Sequence, residues 1–208
     1  MRGCLKRMSI CSTGRKKKAI GLLASCLFLI TLSGCGQRFA DKNTLAFNKD
    51  GSITEYMAEE FDTAIYDMDE WEAQVKSEIE NYNSERGKSE VKLLGAKHEG
   101  GILKCTVQYA SDNAYFDLNK LPLFYGTVEQ AINAGYSLMT PVKDVQTGEK
   151  LSPSVLQGMK EKHIVILKYD TDVSTYKKIT HISEGVIWGE DYKTATVSSE
   201  STAYIVFD

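Results

Sequence analysis

The sequence predicts an α+β fold built on a mainly antiparallel sheet, with two to four short helices. Three observations lead there. Short runs of alternating apolar and polar residues come in neighbouring pairs joined by turn residues, such as 44–47 and 53–61 around Asp50-Gly51. Segments of helical period interrupt these pairs instead of alternating with single strands, which argues against a doubly wound parallel sheet. The body of the chain holds one cysteine, Cys105, so an apolar core must stabilise it without a disulfide framework.

Taken in order, Thr44 to Phe47, the turn Asn48 to Ser52 and Ile53 to Phe61 read as a hairpin with Ile53, Met57 and Phe61 on one face. Asp69, with Glu72 three residues on, reads as an N-cap. Trp71, Val75, Ile79 and Tyr82 then recur at helical spacing, so an amphipathic helix is predicted over 69–83. Val91 to Ala96 and Ile102 to Tyr109 pair around Glu99-Gly100-Gly101, which puts Leu103, Cys105, Val107 and Tyr109 on one face. Ser111 or Asp112 caps a short turn carrying Ala114, Tyr115 and Phe116, and Leu121 to Tyr125 is extended. Thr127 with Gln130 resembles a capping box and Gly135 a stop, framing a helix over 128–134. Ser152-Pro153 opens another short helix, with proline at the first position, where a missing N–H costs little. His163 to Tyr169 is the most strand-like run, and further strands are expected around 179–183, 185–189, 193–198 and 202–207. No repeat or Pro/Gly/Ser linker divides 44–208, so one domain is expected, with 140–150 the best boundary if there were two.

Charge divides the chain in two. Seven of the 25 basic residues and none of the 28 acidic ones lie in the first 34 positions, so this leader carries +7. The remainder holds 18 basic against 28 acidic residues, a net of −10 rather than the −3 of the whole. A body that acidic does not suit nucleic-acid backbones, nor does it lie on an anionic bilayer by attraction. Only Arg38 and Arg86 remain in it, so bidentate arginine clamps are scarce.

The leader has a basic start, the charge-free run Ala19 to Ile30 and a small-residue end, the order of a secretory signal. Its last residues, Leu32-Ser33-Gly34-Cys35, resemble the lipobox of bacterial lipoproteins. The resemblance covers the leader and its junction. It implies a diacylglyceryl group on the Cys35 sulfur and cleavage just before Cys35. Two acyl chains give a stable anchor where one gives marginal binding. The chain then divides into a signal peptide, 1–34, a lipidated tether, 35–43, and a domain, 44–208. The polar residues Gly36 to Lys42 reach about 20–25 Å at most, which keeps the domain close to the bilayer. The long basic start points to a Gram-positive membrane. The competing reading of 19–36 is a retained transmembrane segment of near-minimal length.

Within the body each candidate for chemistry has a simpler structural reading. Cys105 with His98, His163 or His181 has the residue types of a thiol nucleophile and base, but Cys105 lies on the apolar face of a strand. Asp170, Asp172 and Ser174 mimic the start of a calcium loop, yet Thr175 and His181 stand where its glycine and bidentate glutamate belong. Asn48, Asp50 and Gly51 match part of the same loop, and both sets read more simply as turn residues. Asp67, Asp69, Glu70 and Glu72 could supply paired carboxylates for glycoside chemistry, but the first turn of a helix explains them without it. Eleven tyrosines, with the pairs Tyr115-Phe116 and Phe124-Tyr125, suggest a sugar or peptide platform or simply sheet packing. Nucleophile-elbow, P-loop and dinucleotide spacings are absent, so no catalytic, cofactor or metal residue is assigned. The expectation is a non-enzymatic binding or assembly lipoprotein on the extracytoplasmic face of the membrane, with an envelope protein or glycan as partner. The alternative is an envelope hydrolase whose site is assembled from residues distant in sequence.

Overall fold

The computed structural model describes residues 39–198 and 201–208, and among them are thirteen strands and four helices in an α+β arrangement. The first hairpin forms as its alternation dictates. β1 (Thr44–Phe47) and β2 (Ile53–Glu60) pair antiparallel with Phe47 opposite Ile53. Gly51 takes φ +87°, and Asp50 closes the turn by accepting from the Ser52 amide. The second hairpin joins β3 (Val91–Glu99) to β4 (Ile102–Tyr109) through Gly100 and Gly101, at φ +62° and +79°. The register of β3 shifts between Leu93 and Gly95, leaving Leu94 as the extra residue of a bulge. Leu103, Cys105, Val107 and Tyr109 share the buried face of β4, and a one-residue slip would turn all four to solvent.

Between the hairpins lies α1 (Met68–Arg86), which buries Trp71, Val75 and Tyr82 and packs on β3. Its cap is Asp67, not Asp69. Asp67 is extended, and its carboxylate accepts from the amides of Asp69 and Glu70 at 2.9 and 3.0 Å, so Asp69 is one of the capped donors. Gly87, at φ +64°, ends the helix by donating to the carbonyls of Asn83 and Ser84. Ser111, rather than Asp112, caps α2 (Asp112–Asn119), and Asp112 instead accepts from the Tyr125 amide at 3.1 Å. The capping box of Thr127 and Gln130 is present at α3 (Val128–Asn133), and proline opens α4 (Pro153–Gly158).

Two sheets organise these elements. The first has the order β11-β12-β9-β1-β2-β4-β3, with β9 (Thr171–Thr175), β11 (Val186–Trp188) and β12 (Thr194–Val197). Its β1–β9 pair is parallel and the rest antiparallel. The second has the order β5-β8-β13-β10-β6-β7 and is antiparallel throughout. Its strands are β5 (Leu123–Thr127), β6 (Val142–Asp144), β7 (Lys150–Leu151), β8 (His163–Leu167), β10 (Ile179–Ser183) and β13 (Ala203–Phe207). One face of this sheet, with Phe124, Ile164, Ile166, Tyr204 and Val206, packs with Val128 and Ala131 of α3 and Leu156 of α4. On the other, Tyr125 meets Phe47 of the first sheet at 5.0 Å and donates its hydroxyl to the Asn48 carbonyl at 2.6 Å.

Residues 140–150, where a boundary would have fallen had there been two domains, supply β6 and part of β7, and Arg38–Asp208 form one compact unit. Of the stretch read as a tether, 35–43, the described residues 39–43 make contacts with the sheet. Asn43 accepts from the Ala58 amide and donates to Glu59, at 2.9 and 2.8 Å. Asp41 pairs with Lys104, and the Lys97 ammonium sits 5.1 Å from the Phe39 ring. Read backwards from β1, residues 43 to 39 therefore cross β2, β4 and β3 in turn.

Candidate functional site

The most unusual side chain in the core is Glu55. It follows Ile53 on the inward face of β2, between strands whose inward residues are apolar, and is only 9% exposed. Its partners are phenols. The Tyr109 hydroxyl donates to it at 2.7 Å, and Tyr115 also hydrogen-bonds to it. The Tyr169 hydroxyl donates to that of Tyr115 at 3.2 Å, while the Asn119 amide donates to the Tyr109 hydroxyl at 3.1 Å. One cluster thus ties together β2, β4, α2 and the residues just after β8. The Asn119 carbonyl oxygen is buried with no hydrogen-bond partner among the described residues.

Burial raises the Glu55 carboxyl from 4.5 to about 7, with the tyrosine hydrogen bonds opposing the rise. Burial likewise holds the Tyr115 and Tyr169 phenols above their ordinary range, so they remain donors at neutral pH. A carboxyl near neutrality has the acidity of a general acid, but such a group must come within about 3 Å of a substrate proton. Glu55 is enclosed by its own partners. Its chemistry is a proton gained or lost inside the fold.

An open groove of about 250 Å³ lies outside the core, lined by Asp50, Ser52, Ser89, Glu90, Lys92, Gln108 and Ala110. It lacks the apolar and aromatic lining of a typical small-molecule pocket. Its carboxylates are occupied, Asp50 by Ser52 at 2.6 Å and Glu90 by Lys88 at 2.9 Å.

The sequence-derived candidates are dispersed. Cys105 is a buried thiol on β4, opposite Met57 and Ala96. His98 lies on β3 against Phe61, with ring centroids 5.5 Å apart. His163 and His181 belong to the other sheet. His163 stacks on Phe207 at 5.4 Å and lies 3.3 Å from the Tyr176 hydroxyl. His181 is buried, with Nδ1 2.9 Å from the Thr180 hydroxyl, and burial lowers its pKa against the opposing pull of Asp144. Asp172 and Ser174 are outward residues of β9, where Asp172 accepts from Thr196 at 2.6 Å, so the calcium-like spacing is strand alternation. Asn48, Asp50 and Gly51 form the β1–β2 turn. Asp67, Asp69 and Glu70 cap and begin α1. The aromatic pairs split: Tyr115 is buried beside exposed Phe116, and Phe124 and Tyr125 point to opposite faces of β5.

Among the described residues no group of three or more His, Cys, Asp or Glu is placed to hold a metal, and no helix is long and apolar enough to cross a membrane. Cys35 and the rest of the leader lie outside the described residues. Comparison with known protein families, with curated proteins and with solved structures finds no match.

Proposed function

We propose that this chain is a lipid-anchored module on the extracytoplasmic face of a bacterial membrane, acting by binding or assembly and not by catalysis. The observation that carries the reading is Leu32-Ser33-Gly34-Cys35, placed directly after a charge-free run. The lipid supplies what the body lacks, since a net −10 gives it no attraction to an anionic bilayer. The groups that would serve an envelope hydrolase instead have structural surroundings: Cys105 in the core, Glu55 in its phenol cluster, and His181 buried on β10 beside Thr180. An envelope protein or glycan is the partner class that suits this location.

Metabolic labelling with an alkyne-bearing palmitate tests the anchor. The wild-type chain should take up label, and Cys35→Ala should not. Label retained by Cys35→Ala, or absent from the wild type, would sink the proposal.

A further inference from the structure

The chain enters the folded unit at a defined place. Phe39 lies against Lys97 on β3, and the Asp41–Lys104 pair and both Asn43 hydrogen bonds fix the residues behind it. Only Gly36, Gln37 and Arg38 separate Phe39 from Cys35, so four Cα steps hold Cys35 within about 15 Å of it. Chain connectivity therefore tethers Cys35, and any lipid on it, to the part of the fold around Phe39, at the β3 edge of the sheet.

A second feature stands at the same end of β3 but on its opposite face, since Lys97 and His98 are consecutive residues of one strand. Phe61 meets the ring of His98, the residue next to Lys97, at 5.5 Å, and its amide donates to the Gly101 carbonyl at 2.8 Å. The loop that follows Phe61 projects Ile65, 70% exposed, and Tyr66, 39% exposed. It is held in shape. The amides of Ile65 and Tyr66 both donate to the Asp62 carbonyl, at 3.0 and 2.9 Å, and the Ala64 amide donates to the Asp62 carboxylate at 2.9 Å. Tyr66 also packs on Phe61 at 5.7 Å.

We infer that this pole, the loop 62–67 beside the β3–β4 turn, is a membrane-contact surface that seats Ile65 and Tyr66 at the boundary between headgroups and acyl chains. The inference rests on the lipid anchor proposed above. Tyrosine favours that boundary because its ring is apolar and its hydroxyl wet, and an isoleucine beside it gains by leaving water. The loop itself holds Asp62 and Asp67, while Asp69 and Glu70 follow it, and the nearby Lys97 is paired with Glu99. Attraction to anionic lipid therefore does not bring the pole to the membrane. The short leash does, by raising its effective concentration there.

The test uses the full-length protein extracted from membranes, with a spin label placed through Ile65→Cys or Ile187→Cys. Ile187 is 71% exposed on β11, at the opposite edge of the seven-stranded sheet and about 29 Å from β3 at about 4.8 Å per strand. Each variant is reconstituted into phosphatidylcholine–phosphatidylglycerol vesicles containing a nickel-chelating lipid, and the mass of its N-terminal peptide is recorded. Relaxation by the headgroup nickel should be several-fold stronger at position 65 than at 187. Equal relaxation with a lipidated Cys35 would overturn the membrane pole alone. So would protection of position 65 that persists in detergent as a dimer, since a second copy would then cover it. An unmodified Cys35 would overturn the anchor and the pole together.

Discussion

Replacing Glu55 by glutamine should make the protein more stable above neutral pH and leave it nearly unchanged in mild acid. The magnitude follows from the burial of the carboxyl among Tyr109, Tyr115 and Asn119. Below pH 4.5 the folded and unfolded chains both hold the proton, and the full stability is present. Between 4.5 and about 7 only the folded chain holds it, so stability falls as pH rises. Above that range both are ionised and the dependence ends. At about 1.4 kcal/mol per pH unit, a carboxyl raised from 4.5 to about 7 costs the fold about 3 kcal/mol once it must ionise in place. Glutamine keeps the volume and an acceptor for the Tyr109 hydroxyl without a charge to bury. Urea unfolding followed by tryptophan fluorescence, for both chains from about pH 4.5 to about pH 8, reads the difference directly. The glutamine chain should lose the part of the slope that Glu55 contributes, while His181 keeps its own, and should gain about 3 kcal/mol at the alkaline end. An unchanged slope, or a less stable variant near pH 8, would refute the assignment of a buried, cation-free carboxyl.

Two further substitutions check the packing. Asp67→Ala should cost about 1 kcal/mol by urea unfolding, because two amides at the start of α1 lose their acceptor, and Asp69→Ala should cost less. Equal losses would contradict the cap. Cys105→Ala should lower stability by about 1 kcal/mol through lost core packing, with palmitate labelling unaltered. A larger effect on partner capture than on stability would restore the thiol as a functional group.

Much of the fold is legible locally, because hairpins and helix caps are decided by neighbours in sequence. Asp50-Gly51 and Gly100-Gly101 mark their turns, and Thr127 with Gln130 marks α3. What the sequence hides is non-local. β9 reads as a turn because its outward residues, Asp172 and Ser174, are polar, while Val173 and Thr175 are buried only by pairing with β1 and β12. β6 and β7, of three and two residues, are too short to show a period. Two acids of the same chemistry, two residues apart, compete for the cap of α1, and the chain's extended geometry at Asp67 selects between them. Glu55 was findable in principle: a carboxylate in phase with Ile53 and Met57 falls on a core face. Its tyrosine partners, 54 residues away or more, were not. Docking of residues 39–43 on the sheet is equally invisible, since short polar segments pair with lysines that only the fold brings near.

The lipid on Cys35 is what both the proposed function and the membrane-facing pole depend on. The mass of the N-terminal peptide of protein extracted from membranes tests it most directly. The account predicts a chain beginning at Cys35 with a diacylglyceryl group on its sulfur, and an intact leader or a bare Cys35 thiol would contradict it.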